Sequence, residues 1–109
     1  MPRFLIAIAV PLLFASPAMA ENLITYETML KGNTFTPAEI KVPAGKPFII
    51  KMTNANPAPA ELEAKELDVE KVAAGNSLIV VKVNAMGPGK YLFVDEYQED
   101  VAKGYVIVE

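Results

Sequence analysis

Residues 35–53 read FTPAEIKVPAGKPFIIKMT, and this stretch decides which class of fold the sequence predicts. In its second half Phe48, Ile50 and Met52 fall on one face of an extended chain, and that face is wholly apolar. A Pro-Ala-Gly turn at 43–45 separates this half from an earlier run that is also rich in β-forming side chains. The stretch therefore predicts two β-strands joined by a tight turn, with one buried face.

The chain on either side repeats this pattern of short extended runs and turns. Pro37 restricts its own run to a sheet edge or a bulge, because proline cannot donate a hydrogen bond to a neighbouring strand. The predicted strands cover residues 23–30, 35–42, 48–53, 78–83, 91–94 and 105–108. Short strands at this spacing predict an all-β fold, a Greek-key antiparallel β-sandwich.

Residues 60–74, AELEAKELDVEKVAA, give two conflicting signals. Most of these side chains favour a helix, with Pro59 suited to the first helical position and Gly75 to the stop. Yet Glu61-Leu62-Glu63-Ala64 also alternates between polar and apolar residues, as a strand does. The residues alone leave helix and strand open here.

Residues 1–20, MPRFLIAIAVPLLFASPAMA, have the pattern of a cleaved secretory signal peptide. Arg3 supplies the early positive charge, an apolar run follows, and Ala18 and Ala20 place small residues at the cleavage site. The alternative is an uncleaved membrane anchor, but the apolar run is too short to span a bilayer comfortably. After cleavage, we expect no membrane insertion of the mature chain. The sequence thus predicts a signal peptide at 1–20, one domain at 21–109 and a periplasmic location.

The composition excludes most kinds of catalytic site. The 109 residues contain no Cys and no His. A blue-copper thiolate and a Ser-His-Asp hydrolase site are therefore both excluded. The formal net charge is −3, which excludes a nucleic-acid binder that relies on a basic surface. Carboxylate, thioether, amide and backbone groups remain as the available chemistry.

Acidic side chains are concentrated in two places, and these are the sequence's clearest candidates for chemistry. Carboxylate oxygens suit hard cations such as iron, manganese, calcium and magnesium, whereas the methionine thioethers would add affinity for copper(I). The alternative is that these acids form ordinary solvated surface. The two acidic groups are Glu61, Glu63, Glu66, Asp68 and Glu70, and then Asp95, Glu96, Glu99 and Asp100.

Beyond these patterns, the chain resembles the cupredoxin-like domains over nearly all of residues 21–109. The resemblance is carried by residues 35–48, by Gly-Pro-Gly-Lys-Tyr-Leu-Phe at 87–93 with the acidic loop after it, and by Gly-Tyr-Val-Ile-Val at 104–108. The stretch Asn-Pro-Ala-Pro-Ala-Glu-Leu-Glu at 56–63 is similar to that of the periplasmic cupredoxin-like proteins of bacterial ferrous-iron uptake, which are related to the cupredoxin domain of EfeO.

The resemblance implies where a metal would bind. In copper-binding cupredoxins the loop before the last strand carries Cys and, three residues later, His, and these positions fall on Asp95 and Gln98. The iron-uptake relatives usually have acids at 95 and 96 and a His at 98, so Gln98 is a departure. The implied ligands for iron, or for copper, are Glu61, Asp95, Glu96, Gln98 and Glu99.

The resemblance also implies a function and settles the ambiguous segment. It implies an accessory protein that delivers iron to an inner-membrane iron permease and other periplasmic uptake components, or at most helps to oxidise ferrous iron for them. It implies that residues 60–74 are mainly extended, with one short helical turn. The competing hypothesis is a metal-free, cupredoxin-shaped interaction module that has lost its ligands.

Overall fold

The computed structural model describes residues 22–109 as nine short strands and two single turns of 3₁₀ helix. The signal peptide predicted at 1–20 lies outside the described residues. No helix in residues 22–109 has the length and apolar character needed to cross a membrane. The strands are β1 Thr25–Lys31, β2 Thr34–Thr36, β3 Glu39–Val42, β4 Phe48–Asn54, β5 Ala60–Ala64, β6 Val69–Ala73, β7 Ser77–Val83, β8 Gly89–Asp95 and β9 Lys103–Val108.

The strands form two sheets, and the predicted β-sandwich is confirmed. One sheet has the order β2-β1-β4-β7 and the other the order β3-β9-β8-β5-β6. The sandwich was predicted to be antiparallel, and both sheets are in fact mixed, because β1 pairs with β4 in parallel and β3 pairs with β9 in parallel. The chain crosses to the second sheet after Pro37, so the strand that returns to the first sheet runs in the same direction as β1.

Two aromatic rings join the sheets in the core. Phe35 of β2 and Phe93 of β8 meet edge to face, with ring centroids 4.9 Å apart. Gly104 of β9 lies directly under the second ring, because a Cβ atom placed there would come within 2.2 Å of the Phe93 ring. This close approach explains why a glycine stands at this buried position near the start of β9.

The segment with conflicting signals folds as a hairpin of two strands. Strands β5 and β6 pair antiparallel, and the 3₁₀ turn Lys65–Leu67 connects them with Asp68 in the left-handed conformation. The extended chain with one short helical turn, which the family resemblance implies, is thus confirmed. The helix propensity of these residues is overridden by tertiary structure, because β5 is a central strand that is hydrogen-bonded to β6 on one side and to β8 on the other.

Candidate metal centre

Two glutamates of β5 lie side by side on the outer face of the five-stranded sheet. Because side chains alternate along a strand, Glu61 and Glu63 share one face while Leu62 between them points into the core. Each glutamate is only 9% exposed, which is unusual for a side chain that carries a charge. Their carboxylates are therefore held against protein rather than extended into solvent.

The neighbouring strands bring two more glutamates to the same place. Glu70 of β6 lies directly opposite Glu63 in the antiparallel pair. On the other side Leu62 pairs with Asp95, so the next residue, Glu96, comes to lie beside Glu61. The four residues Glu61, Glu63, Glu70 and Glu96, here called the glutamate cluster, each offer a carboxylate oxygen within 4.8 Å of the others.

The carboxylates perturb one another's protonation. Hydrogen bonds to Glu63 and Glu61, together with partial burial, raise the pKa of Glu96 to about 7. A hydrogen bond to Glu61 and its negative charge raise the pKa of Glu70, whereas the hydrogen bonds that Glu61 accepts from Glu96 and Glu70 lower the pKa of Glu61. Without a cation, the cluster therefore relieves its repulsion by holding protons between carboxylates.

One lysine supplies part of the counter-charge. The Nζ atom of Lys65 lies 3.5 Å from Oε1 of Glu63, and the lysine side chain is 86% exposed. An ion pair this exposed contributes little to stability, since water screens it and a long side chain loses freedom. The lysine thus reduces the repulsion in the cluster without filling the space between the oxygens.

The arrangement suits a hard cation. In protein sites calcium–oxygen distances are about 2.3–2.6 Å, so oxygens on opposite sides of such an ion are about 5 Å apart. The four carboxylate oxygens of the glutamate cluster all lie within 4.8 Å of one another, so they are close enough to bind one such ion together.

The raised pKa of Glu96 predicts how the metal-free protein responds to pH. The folded chain keeps a proton that the unfolded chain releases above the ordinary glutamate pKa of 4.5. This contribution to stability is fully present below pH 4.5 and is lost as pH rises through about 7. The melting temperature in a chelating buffer should therefore fall across that window, and Glu96→Gln should flatten the decline. A profile that rises there, or an unchanged slope in the variant, would contradict the assignment.

Asp95 and Gln98, two of the predicted ligands, lie outside the glutamate cluster and bind each other. Asp95 is buried, and its Oδ1 accepts hydrogen bonds from the backbone N–H of Glu61 at 3.0 Å and of Tyr97 at 3.2 Å. Its Oδ2 accepts a hydrogen bond from Gln98 Nε2 at 2.9 Å. The same Gln98 amide donates to the carbonyl of Gly32 at 3.0 Å. This pair therefore ties loops together at one end of the sandwich.

Of the five predicted ligands, the structure thus brings together Glu61 and Glu96. Glu99 is exposed and lines a shallow depression with Glu63 and Lys65, outside the cluster. Glu63 and Glu70 are not among the ligands that the sequence predicts. The alternation in 61–64 indicates that Glu63 lies on the same strand face as Glu61. The position of Glu70 beside them follows only from the register of the hairpin.

Comparisons with known proteins give the same architecture. The metal-binding domain of the Cu(I)-exporting P-type ATPase CopA of Streptococcus pneumoniae D39, solved with Cu(I), is similar with a TM-score of 0.71 and 21% identity, covering 82% of this chain and 89% of that one. Auracyanin from Roseiflexus castenholzii is similar with a TM-score of 0.64 and 17% identity, covering 78% and 96% of the two chains. At these identities the similarity shows the fold.

Similarity in sequence extends to one uncharacterized protein of Rickettsia prowazekii (strain Madrid E). It is 26% identical over 88 residues, which covers 81% of this chain and 70% of the relative. The model of the cupredoxin-like domain family matches residues 4–108. Together with the two-sheet sandwich, this match shows that the chain belongs to the cupredoxin-like domain family.

Proposed function

We propose that this cupredoxin-like protein binds a hard metal ion, iron in the first place, through the glutamate cluster. The observation that carries the proposal is the convergence of four carboxylates, two of them largely buried, within 4.8 Å. Bringing like charges together costs free energy, and a cation removes that cost. Copper(I) is the ion in the similar CopA domain, but the oxygen donors of this cluster favour harder ions.

The wider role that we propose is in periplasmic iron uptake. The signal-peptide pattern of residues 1–20 supports export, and the stretch at 56–63 supports a relationship to the EfeO-type cupredoxins. In this role the protein delivers ferrous or ferric iron to an inner-membrane iron permease. Two of the four cluster carboxylates, Glu70 and Glu96, are exposed, so the site is open on one side, which suits delivery better than storage.

Metal titration of residues 21–109 tests the proposal. Calorimetry with Fe²⁺ under anaerobic conditions, Mn²⁺, Cu⁺ and Cu²⁺ should give one site that prefers Fe²⁺ or Mn²⁺ over Cu⁺. Binding should release protons at neutral pH, because the pKa of Glu96 is about 7 and a bound cation expels that proton. No binding of any of these ions would refute the metal-binding function.

Copper(II) gives a separate optical prediction. The chain contains no Cys, so any Cu²⁺ bound should show only weak ligand-field absorption and no intense thiolate-to-copper band. An absorption spectrum of the Cu²⁺-treated protein measures this. An intense blue colour would contradict the assignment of an all-oxygen site.

The second candidate function is a metal-free interaction module. It is favoured by the Lys65 ion pair and by the protons shared within the glutamate cluster, which together offset part of the repulsion without a metal. The same titration discriminates between the two functions. Absence of binding, together with an unchanged melting temperature in the presence of each ion, would favour the module.

A further inference from the structure

We propose that Asp95 is a positioning residue, which sets the spacing of Glu61 and Glu96 in the glutamate cluster and does not itself bind the metal. The inference rests on the proposed function, since it explains how the proposed ligands are held. It assigns to the most buried acidic side chain of the described residues a role that is distinct from ligation.

The partners of Asp95 are all hydrogen-bond donors. The side chain is 2% exposed, and two backbone N–H groups and one side-chain amide donate to its two oxygens. Donors in this arrangement stabilise a negative charge. A cation that used the same oxygens would have to displace these donors and leave buried N–H groups unpaired, which costs free energy for each group.

The register also separates Asp95 from the cluster. Asp95 lies opposite Leu62, and both side chains point away from the outer sheet face. Glu61 precedes Leu62 in β5, and alternation along that strand turns it to the outer face. Glu96 follows Asp95 at the start of the 3₁₀ turn, and its carboxylate meets those of the other cluster glutamates on the same face. The Asp95 carboxylate on the inner side therefore holds the two backbone segments that present ligands on the outer side.

The contacts of Asp95 fix both ligand-bearing segments. Its Oδ1 binds the N–H of Glu61, where β5 begins, and the N–H of Tyr97, which follows Glu96 in the 3₁₀ turn Glu96–Gln98. Its Oδ2 holds Gln98, the last residue of that turn. Without this carboxylate the turn would lose its N-cap, and Glu96 would no longer be held at a fixed distance from Glu61.

Terbium(III) offers a direct test, because it binds carboxylate sites and its luminescence is sensitised by a nearby tyrosine. The Tyr97 side chain interacts with Glu61 and can serve as the sensitiser. Asp95→Ala should weaken Tb³⁺ binding by about 10–100-fold, the usual effect of losing an outer-shell partner. Asp95→Asn keeps an oxygen for the two backbone N–H groups and loses only the acceptor for Gln98, so it should weaken Tb³⁺ binding less than Asp95→Ala does.

Luminescence lifetimes in H₂O and D₂O count the water molecules bound to Tb³⁺ and separate positioning from ligation. The count should be the same in Asp95→Asn and in the wild type. As a control for loss of stability alone, Val108→Ala removes buried atoms in β9 and should leave Tb³⁺ affinity unchanged.

Each outcome bears on the proposal. An extra water together with a large loss of affinity in Asp95→Asn would make Asp95 a ligand and overturn the positioning role. Wild-type affinity in Asp95→Ala would overturn it as well, while leaving the metal-binding function intact. Absence of Tb³⁺ binding to the wild type would refute the metal site and the positioning role together.

Discussion

Saturating Mn²⁺, or Fe²⁺ under anaerobic conditions, should raise the melting temperature of the wild-type protein, and Glu63→Gln should remove most of that rise. A ligand that binds only the folded chain stabilises it by about 2.7 kcal/mol at a hundredfold excess over Kd. For a domain of this size, each kcal/mol shifts the melting temperature by about 4–8 °C. Glu63 is the residue of choice because it is 9% exposed and lies opposite Glu70.

The melting temperature of Glu63→Gln without metal shows whether the variant has lost metal binding or has lost stability. Glu63→Gln removes one negative charge from a crowded group, so in a chelating buffer its melting temperature should be no lower than that of the wild type. Two matched controls are Glu66→Gln and Glu99→Gln, both exposed acids outside the glutamate cluster. Both should keep the full rise. A rise that depended on Glu99 and not on Glu63 would point to the ligand set that the sequence predicted.

The positions of the strands could be predicted well from the sequence, but their partners could not. The runs predicted at 48–53 and 78–83 correspond closely to β4 and β7. Alternation reports which face of a strand is buried, and it carries no information on the direction of the neighbouring strand. The two parallel pairs therefore could not be anticipated, and the prediction of an antiparallel sandwich missed them.

The candidate site was predictable only in part, because it also depends on which strands are neighbours. The family resemblance implies Glu61 and Glu96 as ligands, and the structure places their carboxylates close together. Glu70 joins them through the register of the β5–β6 hairpin, a property of strand pairing rather than of composition. Asp95 immediately precedes Glu96, but it pairs with Leu62 and its side chain lies on the inner face of the sheet.

Phe93→Ala should give the largest loss of stability, about 3–5 kcal/mol, because it empties a site in the middle of the core. The ring is buried, and it contacts the Phe35 ring of the opposite sheet edge to face at 4.9 Å. It also covers Gly104, where no side chain is present to fill the space. A loss of this size approaches the whole stability of a small domain, which is about 5–15 kcal/mol.

The matched control for Phe93→Ala is Leu92→Ala, on the same strand and the opposite face. Leu92 is 39% exposed, so its truncation should change the free energy of unfolding by less than about 1 kcal/mol. Urea unfolding of both variants in a chelating buffer measures the difference without any contribution from metal. If both variants lost the same amount, the Phe35–Phe93 contact would not be what joins the two sheets, and the core would have to be held elsewhere along the sandwich.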